Sequence, residues 1–251
     1  MTAAIVTGVS RRVGIGAAIA RRLAASGVDL FLHSWPPADA EQPWGADPAG
    51  PEALASELAA TGVRVEHVAA DLADPDAPGQ VVAGAVAALG PVDVLVANHA
   101  RSSSYALEEL TTGEIDLTYA VNTRATLLLV KEFAARLPFG RPGRVVLMTS
   151  GQHRGPMPGE LPYIASKGAL HQVTASLAAH LAPRGITVNA VDPGATDTGY
   201  ADDVTRQLVL AQEPMGRWGE PDDAARLITW LAGPEAGWVT GQVIVSNGGG
   251  P

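Results

Sequence analysis

Tyr163 and Lys167, four apart in the stretch YIASK, have the types and the spacing for proton transfer. On a helix, positions i and i+4 project from one face, so a phenol and an ammonium would stand side by side. The chain has four tyrosines and only two lysines, Lys131 and Lys167, against fifteen arginines, so composition alone does not account for a lysine here. A free phenol titrates near 10 and is a poor proton shuttle at neutral pH unless its anion is stabilised. An ammonium about 5 Å away at an effective dielectric near 20 contributes roughly 3 kcal/mol, which predicts a phenol near 8. Lysine also offers three donors from a compact head, suited to a pair of hydroxyls, where the planar fork of arginine suits carboxylates and phosphates. The plainer alternative is a pair on an outer helix surface.

Ser150 closes the strand-like RVVLMTS, thirteen positions before Tyr163, where a hydroxyl can bond a substrate carbonyl oxygen. Asn122 in YAVNTRA is a poor helix former in an apolar context, which predicts a local kink or buried hydrogen bonds. The six histidines show no metal-ligand spacing and read as surface or satisfied core residues, so no metal is expected.

TGVSRRVGIG, residues 7 to 16, lies between an apolar run and a helical pattern. Its spacing matches neither the common dinucleotide fingerprint, since Ile19 stands where Gly or Ala belongs, nor a P-loop, since no lysine follows. A plain turn fits it. Its position in front of a helix also suits a pyrophosphate, because helix N-terminal amides and the helix dipole attract anions.

Seven short runs have strand character: AAIVT at 3, VDLFLH at 28, VRVEHV at 63, VDVLVA at 92, RVVLMT at 144, ITVNAV at 186 and QVIVS at 242. Helical patterns separate them, as with Ile15, Ile19 and Leu23. Strands apolar nearly throughout imply a parallel sheet covered on both faces. The alternation predicts a single domain over 1–251, an α/β doubly wound, Rossmann-like, seven-stranded parallel sheet with helices on both faces. Thr111 and Glu114 have capping-box spacing before one helix, and another runs from about Leu161 with Pro162 in its first turn. Residues 35 to 51, with five prolines, read as one long loop.

With 47% apolar and 17% charged residues, the chain can build a core of its own. A net charge of −9 and no basic cluster argue against nucleic acid as a partner. No apolar stretch is long enough to span a membrane, and there are no cysteines, so a soluble cytoplasmic protein is the expectation.

Asn122, Ser150, Tyr163 and Lys167 together resemble the catalytic tetrad of the short-chain dehydrogenases/reductases, and the likeness runs nearly the whole chain. Thr7, Gly8, Gly14 and Gly16 follow that family's Thr-Gly-x-x-x-Gly-x-Gly signature with two extra residues between the first glycines. Asp71-Leu72, Asn98 in ANHA, and Pro193, Gly194 and Thr198 in DPGATDT follow in order. The nearest subgroup is similar to the 3-oxoacyl-acyl-carrier-protein reductases. The resemblance implies an NADP(H)-dependent oxidoreductase interconverting a carbonyl and an alcohol, acting on a small-molecule or acyl-thioester carbonyl and assembled as a homotetramer. Tyr163 would be general acid or base, Ser150 would position the carbonyl, Lys167 would hold the nicotinamide ribose, and Asn122 would anchor a water in a proton relay. Cofactor contacts would come from Gly8, Ser10, Arg11, Arg12, Gly14, Ile15, Gly16, Ser34, Asp71, Leu72, Asn98, Ala100, Tyr163, Lys167, Pro193, Gly194, Thr196 and Thr198.

An acid at the end of the second strand would favour NAD(H). LHSW there carries none, and Arg11 and Arg12 lie in the glycine loop, so NADP(H) is expected over NAD(H), with Asp39 in the following loop as the counter-indication. Arg101 stands where the family usually has glycine; selection of anionic substrates is one reading and a solvent-facing arginine the other. Residues 151–162 and 197–218 leave strand carboxyl ends and are expected to wall the substrate pocket. Enoyl-thioester reductases of the same superfamily space tyrosine and lysine seven apart rather than four. A non-enzymatic NADP-sensing regulator would be expected to lose part of the tetrad.

Overall fold

The computed structural model describes residues 3–250. β1 (Ala3–Val6) leads through the glycine loop into α1 (Ile15–Ala25), then β2 (Asp29–Ser34), α2 (Pro36–Ala40), α3 (Gly50–Ala59), β3 (Val65–Ala69), α4 (Ala77–Leu89) and β4 (Val94–Ala97). The second half runs α5 (Thr112–Tyr119), a π-helical turn (Ala120–Arg124), α6 (Ala125–Arg136), β5 (Gly143–Met148), α7 (Leu161–Leu181), β6 (Ile186–Asp192), α8 (Asp203–Leu210), α9 (Pro221–Ala232) and β7 (Val243–Val245). All seven expected strands form one sheet in the order β3-β2-β1-β4-β5-β6-β7, with every pairing parallel.

Successive residues of a strand face opposite sides, and helices cover both. Ile5, Leu95 and Leu147 pack with Val81, Leu129 and Phe133 on one face. Val6, Leu32 and Val96 pack with Ile19, Leu23, Leu54 and Ile228 on the other. Burying a side chain such as Leu23 fully stabilises the fold by about 2 kcal/mol. β1 pairs with both β2 and β4, so the winding reverses there and a crevice opens at the carboxyl ends of those strands.

The proline-rich segment is not one continuous loop. Pro36 and Pro37 occupy the first turn of α2 and Pro51 that of α3, where a missing N–H costs no helical hydrogen bond. Only half of the expected capping box forms: Thr111 Oγ1 accepts the Glu114 amide at 3.2 Å, while the Glu114 carboxylate turns to Arg101. None of the described helices is long and apolar enough to cross a membrane.

Candidate active site

α7 begins at Leu161 with Pro162 in its first turn and carries Tyr163 and Lys167 one turn apart. The Lys167 ammonium lies 5.7 Å from the Tyr163 ring centroid and donates to the Met148 carbonyl at the end of β5, 2.9 Å away. The lysine is only 2% exposed, and burial pulls its pKa down to about 8. Ser150, just past the end of β5, acts on the Tyr163 phenol to ease its ionisation. The predicted lowering of that phenol to about 8 is overturned for the protein alone. Burial pushes it up to about 12; Ser150 acts downward, and the charges of Glu160, Asp192 and Tyr200 add to the rise. The prediction weighed one cation against water, whereas desolvation of the anion outweighs it in the pocket.

Asn122 meets its kink. It is fully buried in the π-helical turn, where its Oδ1 accepts the Arg101 amide at 2.7 Å. Its Nδ2 donates to the Arg101 carbonyl at 3.1 Å and to Ser166 Oγ at 2.9 Å. Ser166 Oγ in turn donates to the main-chain carbonyl of Tyr163 at 2.7 Å, so the asparagine braces the first turns of α7.

Beside this cluster lies a cavity of about 360 Å³ at the switch point of the sheet, lined by Gly8, Ser10, Arg11, Gly14, Ile15, Asp71, Leu72, Asn98, Ala100 and Thr198 from the expected cofactor set. Gly8 needs its freedom: its φ is +71°, and a Cβ would lie 2.6 Å from His99 Cα. Gly16 packs beneath the loop, where a Cβ would meet the Gly8 carbonyl at 2.5 Å. Gly14 precedes α1 in extended conformation without a side-chain cap, leaving the first-turn amides of α1 for an anion. These amides, the Ser10 hydroxyl and the Arg11 guanidinium suit a dinucleotide's phosphates, so the residues present fit a nicotinamide dinucleotide.

The remaining expected contacts lie elsewhere. Arg12 turns away to Asp47, donating from its amide and guanidinium at 3.0 and 2.9 Å. Ser34 is buried against His67 Nε2 at 2.7 Å. Tyr163 and Lys167 lie on α7, and Pro193, Gly194 and Thr196 shape the turn after β6, where Thr196 Oγ1 bonds back to the Pro193 and Gly194 carbonyls at 3.3 Å. Conversely, His33, Trp35, Asp39, Trp44, His99 and Val121 also line the cavity. Trp44 stacks under Arg11, 5.5 Å from its guanidinium, and contacts Tyr200 at 6.2 Å between ring centroids.

Arg101 lines the same cavity with its charge already met. Its guanidinium pairs with both oxygens of Glu114 at 3.0 and 2.9 Å and lies 3.6 Å from Glu41. Two carboxylates on one cation leave little attraction for an anionic substrate, which disfavours that reading of the residue.

A family model described as "Enoyl-(Acyl carrier protein) reductase" matches residues 8–250. The uncharacterized oxidoreductase YjdA of Bacillus subtilis is 43% identical over 98% of this chain and 95% of its own. The chain belongs to the short-chain dehydrogenase/reductase family. Within it, a 3-oxoacyl-[acyl-carrier-protein] reductase of Staphylococcus aureus is 31% identical over 98% of this chain and 96% of that protein. Among solved structures, a short-chain dehydrogenase from Burkholderia cenocepacia J2315 in complex with NADP superposes with a TM-score of 0.88 at 37% identity, covering 99% of this chain and 97% of that one. In this short-chain dehydrogenase/reductase the seven-stranded parallel sheet and its crevice match the fold that the sequence implied.

Proposed function

We propose that the protein interconverts a carbonyl and an alcohol by hydride transfer with NADP(H), Tyr163 acting as general acid or base. The observation that carries this reading is the buried ammonium of Lys167 5.7 Å from the Tyr163 ring, one helical turn along α7, with Ser150 near enough to the phenol to act on its proton.

In the reducing direction Ser150 donates to the carbonyl oxygen and holds it against the phenol. As negative charge grows on that oxygen, Tyr163 delivers its proton. When bound in the cavity, NADP(H) would supply the hydride. A phenol pushed up to about 12 by burial is a strong base once ionised, so the ammonium of Lys167, 5.7 Å from its ring, has the task of stabilising its anion. Lys167 has donors to spare for ribose hydroxyls beyond the bond to Met148. Asn122 acts through Ser166 on the placement of α7.

NADP(H) over NAD(H) is supported by Ser10 and Arg11 in the cavity wall and by an uncharged end to β2. Spacing of four between tyrosine and lysine favours carbonyl over enoyl-thioester reduction, although the matching family model carries the enoyl description. A non-enzymatic NADP-sensing regulator is disfavoured by the presence of all four tetrad residues. Exposed Trp238 and Val245 near the C-terminal strand support a homotetramer, which size-exclusion chromatography with light scattering tests. A cytoplasmic location agrees with the lack of cysteine.

The deciding experiment is NADPH oxidation against a panel of ketones, aldehydes and 3-oxoacyl thioesters. Turnover of at least one carbonyl supports the reading; none across the panel, with NADPH bound, favours the regulator.

A further inference from the structure

The tetrad and the glycine loop are joined through a residue that neither the chemistry nor the cofactor set includes. His99 follows β4 in the stretch NHAR and is 6% exposed. Its Nδ1 lies 2.7 Å from Thr7 Oγ1, at the start of the glycine loop, and its Nε2 lies 3.0 Å from the main-chain carbonyl of Val121, inside the π-helical turn.

The proton inventory fixes the ring's form. Thr7 Oγ1 accepts the amides of Asn98 and His99 at 3.0 and 3.2 Å, so its single proton is free to be donated. The Val96 carbonyl is 3.4 Å away and the imidazole 2.7 Å, so the shorter contact takes it. Nδ1 is then an acceptor, and the ring carries its proton on Nε2, pointed at Val121. Burial, with the neighbouring charges of His33 and Lys167, holds the ring neutral down to about pH 3.

Val121 sits within a widened turn. In this turn the Ala125 amide reaches back to the Ala120 carbonyl, one residue further than in an α-helix. The next residue is Asn122, which holds Ser166 and through it the Tyr163 carbonyl. A chain of hydrogen bonds, none longer than 3.0 Å, thus runs from Thr7 through His99 to Val121, and from Asn122 through Ser166 to Tyr163.

We propose that His99 is a positioning residue which, as the neutral Nε2–H tautomer, ties the glycine loop to the π-helical turn and thereby sets the placement of Tyr163. This rests on the functional reading above for its kinetic consequence only. The alternative is a core histidine whose hydrogen bonds serve local packing.

His99→Leu and His99→Gln separate the two, because leucine fills the space with no polar atom while glutamine keeps one donor and one acceptor. The full-length protein, labelled with [ζ-13C]tyrosine and assigned by Tyr163→Phe, reports the surroundings of the phenol independently of turnover; 15N labelling reports the tautomer. In the wild type the His99 ring should show the Nε2–H form throughout the neutral range. His99→Leu should shift the Tyr163 signal and lower kcat by about tenfold or more. His99→Gln should restore both. Where His99→Leu fails to fold, His99→Gln still decides: a displaced Tyr163 signal in a folded His99→Gln protein counts against the proposal. An Nδ1–H ring, an unmoved Tyr163 signal in folded His99→Leu, or a loss that glutamine does not rescue overturns it. Absence of turnover in the wild type sinks the functional reading instead, and the two labelled spectra then decide the role of His99.

Discussion

Around Tyr163 the polar side chains are held by buried main-chain partners; around Arg11 they are held by one another near the surface. Lys167 ends on the Met148 carbonyl, Asn122 on the amide and carbonyl of Arg101, and Ser166 on the Tyr163 carbonyl. At the other end Arg12 pairs with Asp47, Trp44 Nε1 reaches Asp39 at 3.4 Å, and Arg11 stacks on Trp44 while donating to the Thr198 carbonyl at 2.8 Å. A buried hydrogen-bonded network is rigid, because each broken bond leaves a desolvated group. An exposed ion pair contributes about 0–1 kcal/mol and exchanges partners at little cost. The chemical end is thus preorganised, and the expected adenosine end is free to adjust to what it binds.

The hardest test of the preorganised end is Tyr163→Phe. It should fold, bind NADPH like the wild type and lose about 10³-fold in carbonyl reduction, within the range set by removing a general acid. Retention of activity within about tenfold would falsify the role given to the phenol.

Acid should weaken this end next. His33 and His99 line the crevice with pKa values drawn down to about 4 and about 3 by burial, against about 6.5 in an unfolded chain. Between those values the unfolded chain binds the extra proton, so stability falls as pH falls below about 6.5. At pH 5 each ring costs about 2 kcal/mol relative to neutral pH. The ion-paired carboxylates Asp47 and Asp222, held below the usual carboxylate range by their arginines, stay charged there and contribute little. Urea unfolding at pH 7 and pH 5 measures the difference, and His33→Gln should remove about half of it. Equal stability at both pH values would mean that the two rings are not held neutral.

The glycine loop joins the two ends, and its glycines should differ. Gly16→Ala places a Cβ 2.5 Å from the Gly8 carbonyl and 2.7 Å from Asn98 Nδ2, contacts that require backbone movement. A loss of about 1–3 kcal/mol in stability is expected, with weaker NADPH binding. Gly14→Ala meets the Arg11 carbonyl at 3.2 Å from an ordinary extended backbone and should change both less. Indistinguishable melting temperatures for the two variants would contradict the close packing beneath the loop.

Those contrasts track what the sequence could reveal. Most strands were legible because they are apolar nearly throughout, β3 (VEHVA) being the alternating exception, and the Tyr163–Lys167 pair because helical spacing alone brings them together. Asn122 announced a disturbed helix through its type, though its partners Arg101 and Ser166 are set by the fold. His99 and His33 were illegible as site residues, since a histidine beside a strand says nothing about which ring nitrogen meets which neighbour. Arg12 and Ser34 read as cofactor contacts from local position; Asp47, thirty-five residues away, and His67 on β3 claim them instead. Short-range spacing carried the chemical end, whereas pairings across the sheet and the proline-rich segment decided the other.

The smallest expected effect separates the two arginines that the loop sequence presents as equals. Arg11 lines the cavity, donates to the Thr198 carbonyl and stacks on Trp44, with Asp39 acting on it through charge alone, so its guanidinium can turn to a 2′-phosphate more readily than that of Arg12. Arg12 would first have to leave a carboxylate that takes its amide, its Nε and its other terminal nitrogen together. Arg11→Ala should therefore weaken NADPH by about tenfold and NADH by less than about twofold, the worth of one charge-assisted contact. Arg12→Ala should change either affinity by less than about threefold. Fluorescence titration of both cofactors measures this. Equal losses for the two variants would show that Asp47 releases Arg12 when the cofactor binds, and Asp47→Asn should then tighten NADPH alone. A wild-type protein that binds NADH more tightly than NADPH would instead assign the half-buried carboxylate of Asp39, which lines the same cavity, to the ribose hydroxyls.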